Sequence, residues 1–205
     1  MTGTEFKAWC EKRVRLLDGA TGSNLRAAGM PAGVCAETWI LEHPQALQTL
    51  QEAYIAAGSE IVLAPTFGAN RALLANHGLE SCVQDYNRRL VSLSREAVGY
   101  RALLAGDMTT TGQPVLPEDT AAYARLLEIY TEQASALLEA DVDLFFVETM
   151  MGLTESMAAV EAIRALTDRA IVCTMSVQSD GRCYFDGSVY DAAQTLPELG
   201  ADAVG

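Results

Sequence analysis

Short apolar runs recur along this chain. Each ends in a polar or glycine-rich stretch and is followed by a helical stripe, and this recurrence restricts the fold more than any other feature. The clearest run is Val142–Met150 (VDLFFVETM), where apolar side chains fill the middle and the carboxylate of Glu148 stands only at the carboxyl end. A nearly continuous apolar run of this length reads as a strand buried on both faces, the pattern of a parallel sheet. A charge inside such a strand costs free energy, whereas α/β proteins carry their chemistry at the strand tips. Val14–Leu17, Glu60–Ala64, Ala102–Gly106, Ala170–Ser176 and Ala201–Gly205 read as five further strands.

Helical stretches separate them. Residues 1–12 read as a short leading helix or a loose end. Pro44 suits the first turn of a helix over Pro44–Ala57, and Gly58 suits its stop. Residues 83–98 place Tyr86, Leu90, Leu93 and Ala97 on one face, and residues 119–140 do the same with Tyr123, Leu126, Tyr130, Ala134 and Leu137. Thr154 is the expected N-cap of the next helix, and Ser188 that of the last.

Alternating strands and helices predict an α/β fold with a parallel sheet and right-handed crossovers. An open doubly wound sheet and an eight-unit barrel both satisfy that rule. Gly19-Ala20-Thr21-Gly22 does not fit the glycine pattern of nucleotide-binding open sheets, and no P-loop occurs. Polar groups at the ends of several strands favour the barrel. Closure takes about eight strands and the chain shows about six, so the expectation is a (β/α)8 TIM-barrel type, truncated after about six units, as one domain over residues 1–205.

A formal net charge of -13 argues against nucleic acid or an anionic membrane as partner. Met1–Arg15 has no signal-peptide core, and no apolar run is long enough for a bilayer, which points to the cytoplasm. The five cysteines (Cys10, Cys35, Cys82, Cys173, Cys183) are scattered and form neither a disulfide framework nor a local zinc site.

Asp18, Thr66, Asp107 and Glu148 each stand just past a different strand and are expected to converge. Asp18 and Glu148 together suit an ammonium, and the amides of the Gly19–Gly22 turn suit a carboxylate. Both groups belong to an amino acid. The plainer alternatives are that Asp18 ends a strand as a turn residue and that Glu148 pairs with an arginine. Trp39 is either core or the shield of a pocket. Lys7 and Lys12, the only lysines, precede the first strand, which disfavours a Schiff-base enzyme. His43 and His77 read as structural, and no Gly-x-Ser-x-Gly elbow occurs. Cys173 reads as core, while Cys183, on a loop at the strand tips, is a candidate reactive thiol.

Leu16-Leu17-Asp18-Gly19-Ala20-Thr21-Gly22, Glu42-His43-Pro44, Tyr54–Gly58, Thr66-Phe67-Gly68-Ala69-Asn70-Arg71 and Val147-Glu148-Thr149-Met150 resemble, in order, the homocysteine-binding domain of homocysteine S-methyltransferases, betaine–homocysteine methyltransferase and cobalamin-dependent methionine synthase. The resemblance implies a (β/α)8 barrel that transfers a methyl group to the sulfur of homocysteine, giving methionine. It places Asp18 and Glu148 on the amino group, with Gly19 and Thr66 nearby; Asp107, Trp39 and Asn70 are further pocket candidates. It also implies zinc held by three cysteines, one in a Gly-x-Asn-Cys element after the sixth strand and two in a Gly-Gly-Cys-Cys element after the eighth. The sequence stops at Gly205, short of both, and none of its cysteines matches. No metal ligand or catalytic residue is therefore assigned. Cobalamin or methylfolate would enter through other domains, and a partner chain or dimer would complete the barrel. Asp107–Gly112 stands where the family usually has a Gly-Pro-containing turn, a departure that bears on the methyl-donor contacts. Betaine, S-methylmethionine and a corrinoid-bound methyl all stay open as donor, because donor contacts vary in the family and some lie beyond residue 205. The competing expectations are a non-catalytic amino-acid-binding or interaction protein, and a different barrel enzyme using Asp107 or Glu148 as acid or base.

Overall fold

The computed structural model describes residues 1–205. Helix α1 (Gly3–Cys10) opens the chain with a capping box: the Glu5 amide donates to Thr2 Oγ1 (3.3 Å) and the Thr2 amide to the Glu5 carboxylate (2.8 Å). Then come α2 (Thr21–Ala27), α3 (Ala36–Glu42), α4 (Pro44–Ala57), β1 (Ile61–Leu63), α5 (Arg71–Ala75), α6 (Val83–Val98), β2 (Leu103–Met108), α7 (Thr120–Glu139), β3 (Leu144–Met150), α8 (Leu153–Arg164), β4 (Ile171–Met175), α9 (Val189–Leu199) and β5 (Ala203–Val204). The five strands form one all-parallel sheet in sequence order, β1-β2-β3-β4-β5. No helix is long and apolar enough to cross a membrane.

Two expectations are corrected. Val14–Leu17 is not a sixth strand. Leu17 makes only an isolated parallel bridge to Ile61, although the Asp18 amide still donates to Ile61 O at 2.9 Å. This segment has a sheet neighbour on one side only, and Val14 and Leu16 stay 83% and 53% exposed, so extension gains it little burial. Thr154 is not an N-cap either. Gly152 occupies that position, and Thr154 lies inside the first turn of α8, where its amide (3.0 Å) and its hydroxyl (2.6 Å) both donate to Asp186 Oδ2. A carboxylate brought from a distant loop does the capping. Gly152 permits this approach, since a Cβ there would lie 2.3 Å from Asp186 Oδ1.

The other helix signals take effect where the sequence puts them. Pro44 opens α4, Gly58 closes it at φ 106°, Asp119 caps α7, and Ser188 caps α9.

Alternation along β3 explains the core. Phe145 and Val147 pack outward with Leu104, Tyr130, Leu137 and Ile163 under α7 and α8. Leu144 and Phe146 pack on the opposite face with Ile61, Ala105, Val172 and Phe6 of α1. Both faces of the sheet are thus dry, as the continuous apolar runs require. A separate cluster of Leu25, Trp39, Ile40, Leu47, Leu74 and Leu90 joins α2–α6 beside β1. The strand tips then carry the polar groups.

Candidate functional site

The C-terminal ends of β1, β2 and β3, the Leu17–Gly22 segment and α3 enclose a cavity of about 460 Å³. Asp18, Glu37, Asp107 and Glu148 line it, with Gly19–Gly22, Leu25, Ile40, Phe67 and Thr149 among the rest; no lysine, arginine or histidine does.

Asp18 is positioned by backbone geometry. Its amide bonds to Ile61, and its Oδ2 accepts from the Leu63 amide at 3.0 Å, so it is latched to β1 at two points. Burial lifts its carboxyl to about 7; the Leu63 N–H offsets part of that, and the neighbouring Glu148 adds to it. The following turn is held from α4. Tyr54 Oη donates to Ala20 O (3.0 Å), and Asn24 Nδ2 donates to Ala20 O (2.6 Å) and to Tyr54 Oη (3.1 Å). A Cβ at position 19 would meet Tyr54 Oη at 2.9 Å, so any larger residue there has to displace that ring.

Glu148 is aimed by a break in β3. Pairing with β4 passes from Val147–Cys173 to Met150–Met175, three residues against two, and the extra residue is a bulge. At its centre Thr149 holds φ 62°, a conformation that β-branched residues avoid. Thr109 Oγ1 fixes Glu148 O at 2.9 Å, and Thr174 Oγ1 accepts from the Thr149 amide at 3.2 Å. Burial raises the Glu148 carboxyl pKa. Neither Asp18 nor Glu148 pairs with an arginine.

Asp107 is the penultimate residue of β2 and is 5% exposed. Burial, then Glu148, Asp18 and Glu37, hold its carboxyl well above the usual range. Thr66 clamps its backbone from β1's side: the hydroxyl donates to Asp107 O (2.8 Å) and accepts from the Asp107 amide (3.1 Å).

Three of the expected pocket residues do not reach the cavity wall. Thr66 is sealed by its two bonds to Asp107 and acts on the cavity through that residue. Asn70 turns away to cap α5, accepting from the Leu73 amide at 2.9 Å. Trp39 is core: it stacks on His43 with ring centroids 4.3 Å apart and packs with the helices beside β1. His77 is exposed in the turn after α5. Cys173 is core, as expected, and burial pushes its thiol up to about 12. Cys183 is buried as well, and its raised pKa is the reverse of what a reactive thiol needs.

Two carboxylates were not singled out by the sequence reading. Glu37 lies in the cavity wall, its Oε1 accepting from the Gly68 amide at 2.9 Å and its Oε2 from Cys35 Sγ at 3.3 Å. Its signal is an acid three residues before Ile40, on the buried face of a short helix. Glu155 is buried behind the strand tips and accepts from Tyr130 Oη (2.8 Å), Thr111 Oγ1 (2.6 Å) and the Thr111 amide (2.6 Å). It holds the loop whose Thr109 fixes Glu148.

The model of a family described as homocysteine S-methyltransferase matches residues 15–205. The methionine synthase of Mycobacterium tuberculosis (strain ATCC 25618 / H37Rv) is 26% identical over 212 residues, which cover 95% of this chain and 18% of that protein. The S-methylmethionine–homocysteine S-methyltransferase BHMT2 of Pongo abelii is 28% identical over 190 residues, covering 92% of this chain and 50% of the relative. The chain thus spans half or less of these relatives. Among solved structures, the homocysteine methyltransferase MmuM from Escherichia coli superposes with a TM-score of 0.80 in its oxidized form (21% identity, 95% of this chain, 74% of that one). Its metallated form gives 0.78 (21% identity, 97% and 76%). The structural likeness confirms the parallel α/β fold, and the family match runs through every strand and every cavity carboxylate: this chain belongs to the homocysteine S-methyltransferase family.

Proposed function

We propose that residues 1–205 form the homocysteine-binding part of an S-methyltransferase that moves a methyl group to the homocysteine sulfur, giving methionine. One observation carries this reading: four carboxylates and no basic side chain line a single cavity at the strand tips. Such a cavity selects a cation, and family membership makes the ammonium of homocysteine the fitting one. Asp18 and Glu148 are its partners through charge-assisted hydrogen bonds. The Gly19–Gly22 backbone forms part of the wall and suits the ligand's carboxylate, while Leu25, Ile40 and Phe67 offer apolar surface to its methylenes.

Zinc is expected of this family, but the donors in this chain do not fit it. No three His, Cys, Asp or Glu side chains are grouped so as to hold a metal ion, and none of the five cysteines lines the cavity. We therefore assign this chain substrate binding. We infer that the remaining strands of a (β/α)8 barrel and the metal donors come from other polypeptide, in a longer protein or a partner chain, with cobalamin or methylfolate, where used, on other domains. The methyl donor is left unassigned. Free thiols at all five cysteines suit a cytoplasmic setting. The unfit donor set also favours a second reading, an amino-acid-binding or interaction protein without methyl transfer.

Calorimetry with homocysteine in zinc-free buffer tests the site. Wild type is expected to bind, and Glu148→Ala to weaken binding by roughly thirtyfold or more, the usual cost of removing one partner of a buried charged pair. Absence of binding by the wild type overturns the proposal. A methyl-transfer assay on the same protein, with and without zinc, separates the two readings.

A further inference from the structure

The ammonium reading leaves two cavity carboxylates without a ligand, and of these Glu37 is already held by the Gly68 amide and Cys35 Sγ, which leaves Asp107. Its backbone is locked to Thr66, its side chain lines the cavity at 5% exposure, and its Oδ1 is buried with no hydrogen-bond partner. The charged groups that face it are Glu148 from β3, Asp18 from the segment beside β1, and Glu37 from α3, and all are acidic. The Met108 amide favours the charged form, but it is the weakest of these influences, and a buried anion with one oxygen unpaired and no cation beside it is a costly arrangement. A proton on Asp107 removes that cost and turns an unpaired acceptor into an O–H donor, as happens with other carboxylic acids held neutral by apolar sites. Meanwhile an amino-acid ligand brings its own carboxylate into a cavity whose wall offers no cationic side chain.

We propose that Asp107 is a specificity-determining, ligand-contacting residue that works as a neutral acid, donating its O–H to the ligand's carboxylate while Asp18 and Glu148 hold the ammonium. This rests on the reading of the cavity as an amino-acid site. Burial among three acids shifts the Asp107 carboxyl in the direction the contact needs. The bond formed, O–H to carboxylate, is of the charge-assisted class, and it makes the cavity prefer a zwitterion over a plain amine.

The test compares homocysteine with its decarboxylated analogue, an aminopropanethiol, by calorimetry on wild type, Asp107→Ala and Asp107→Asn. Asp107→Ala is expected to weaken homocysteine by roughly ten- to a hundredfold and to leave the analogue unchanged. Asp107→Asn keeps a donor in place and should recover most of the loss. As pH rises, wild type should lose affinity relative to Asp107→Asn, since the acid ionises and the amide does not. Equal loss for both probes, no recovery with Asn, or a pH-independent ratio overturns the proposal. Should Asp107→Ala fail to fold, the ratio between Asn variant and wild type still decides. A ligand-free arm reads the proton alone: the melting-temperature gain of Asp107→Asn over wild type should grow with pH, and a constant difference overturns the neutral acid. Failure of wild type to bind homocysteine removes this contact together with the proposed function, while the ligand-free arm still reports the protonation.

Discussion

Ionising Asp18 in the folded chain costs free energy, because the carboxyl is largely buried and faces Glu148. Its folded pKa, about 7, lies above the ordinary 3.8, so the penalty is absent in acid, grows as pH rises between those values, and is complete above them. Asn at this position never ionises. Asp18→Asn is therefore expected to melt with wild type near pH 4 and roughly 3–8 °C above it near pH 8, as followed by circular dichroism. Equal melting temperatures at both pH values would remove the electrostatic account of the site. The same logic gives a ligand signature: an ammonium between Asp18 and Glu148 favours their ionised forms, so binding near neutral pH releases protons. That Asp18, Glu148 and Asp107 would converge on one cavity was legible because each is an acid directly after an apolar run. Glu37 was not, because its helix α3 is short and its partner, the Gly68 amide, is brought up from far along the chain.

The bulge at the end of β3 is the element that gives the cavity its direction. Thr149 at φ 62° stores strain of about 1 kcal/mol or more, and glycine adopts that conformation freely. Thr149→Gly is expected to stabilise the fold by up to about 1 kcal/mol in urea melts and to weaken homocysteine binding several-fold, since Glu148 loses its rigid neighbour. Stability and affinity falling together would show that the bulge is not strained. Nothing in Val-Glu-Thr-Met announces a bulge, because it arises from the mismatch of two strands and not from a local signal. Helices α4, α6, α7 and α9 were legible almost to the residue, since their stripes and caps are local in sequence. Thr154 misled for the opposite reason: the group that caps α8, Asp186, is contributed by a loop remote in sequence.

At the scale of the molecule, a sheet dry on both faces leaves its polar chemistry to the strand tips, and consecutive parallel strands bring those tips together. This is why the α/β class and the place of the cavity could be read from the chain order. The count of strands could not, because whether Val14–Leu17 becomes a strand depends on a neighbour on its outer side, and its apolar residues stand exposed instead. The central claim is that neighbouring strand tips hold the ammonium of an amino acid. A crystal structure of the chain with homocysteine bound tests it most directly. The account expects the ligand nitrogen at about 3 Å from carboxylate oxygens of both Asp18 and Glu148. A nitrogen placed away from both carboxylates, or a ligand seated outside this cavity, would contradict it.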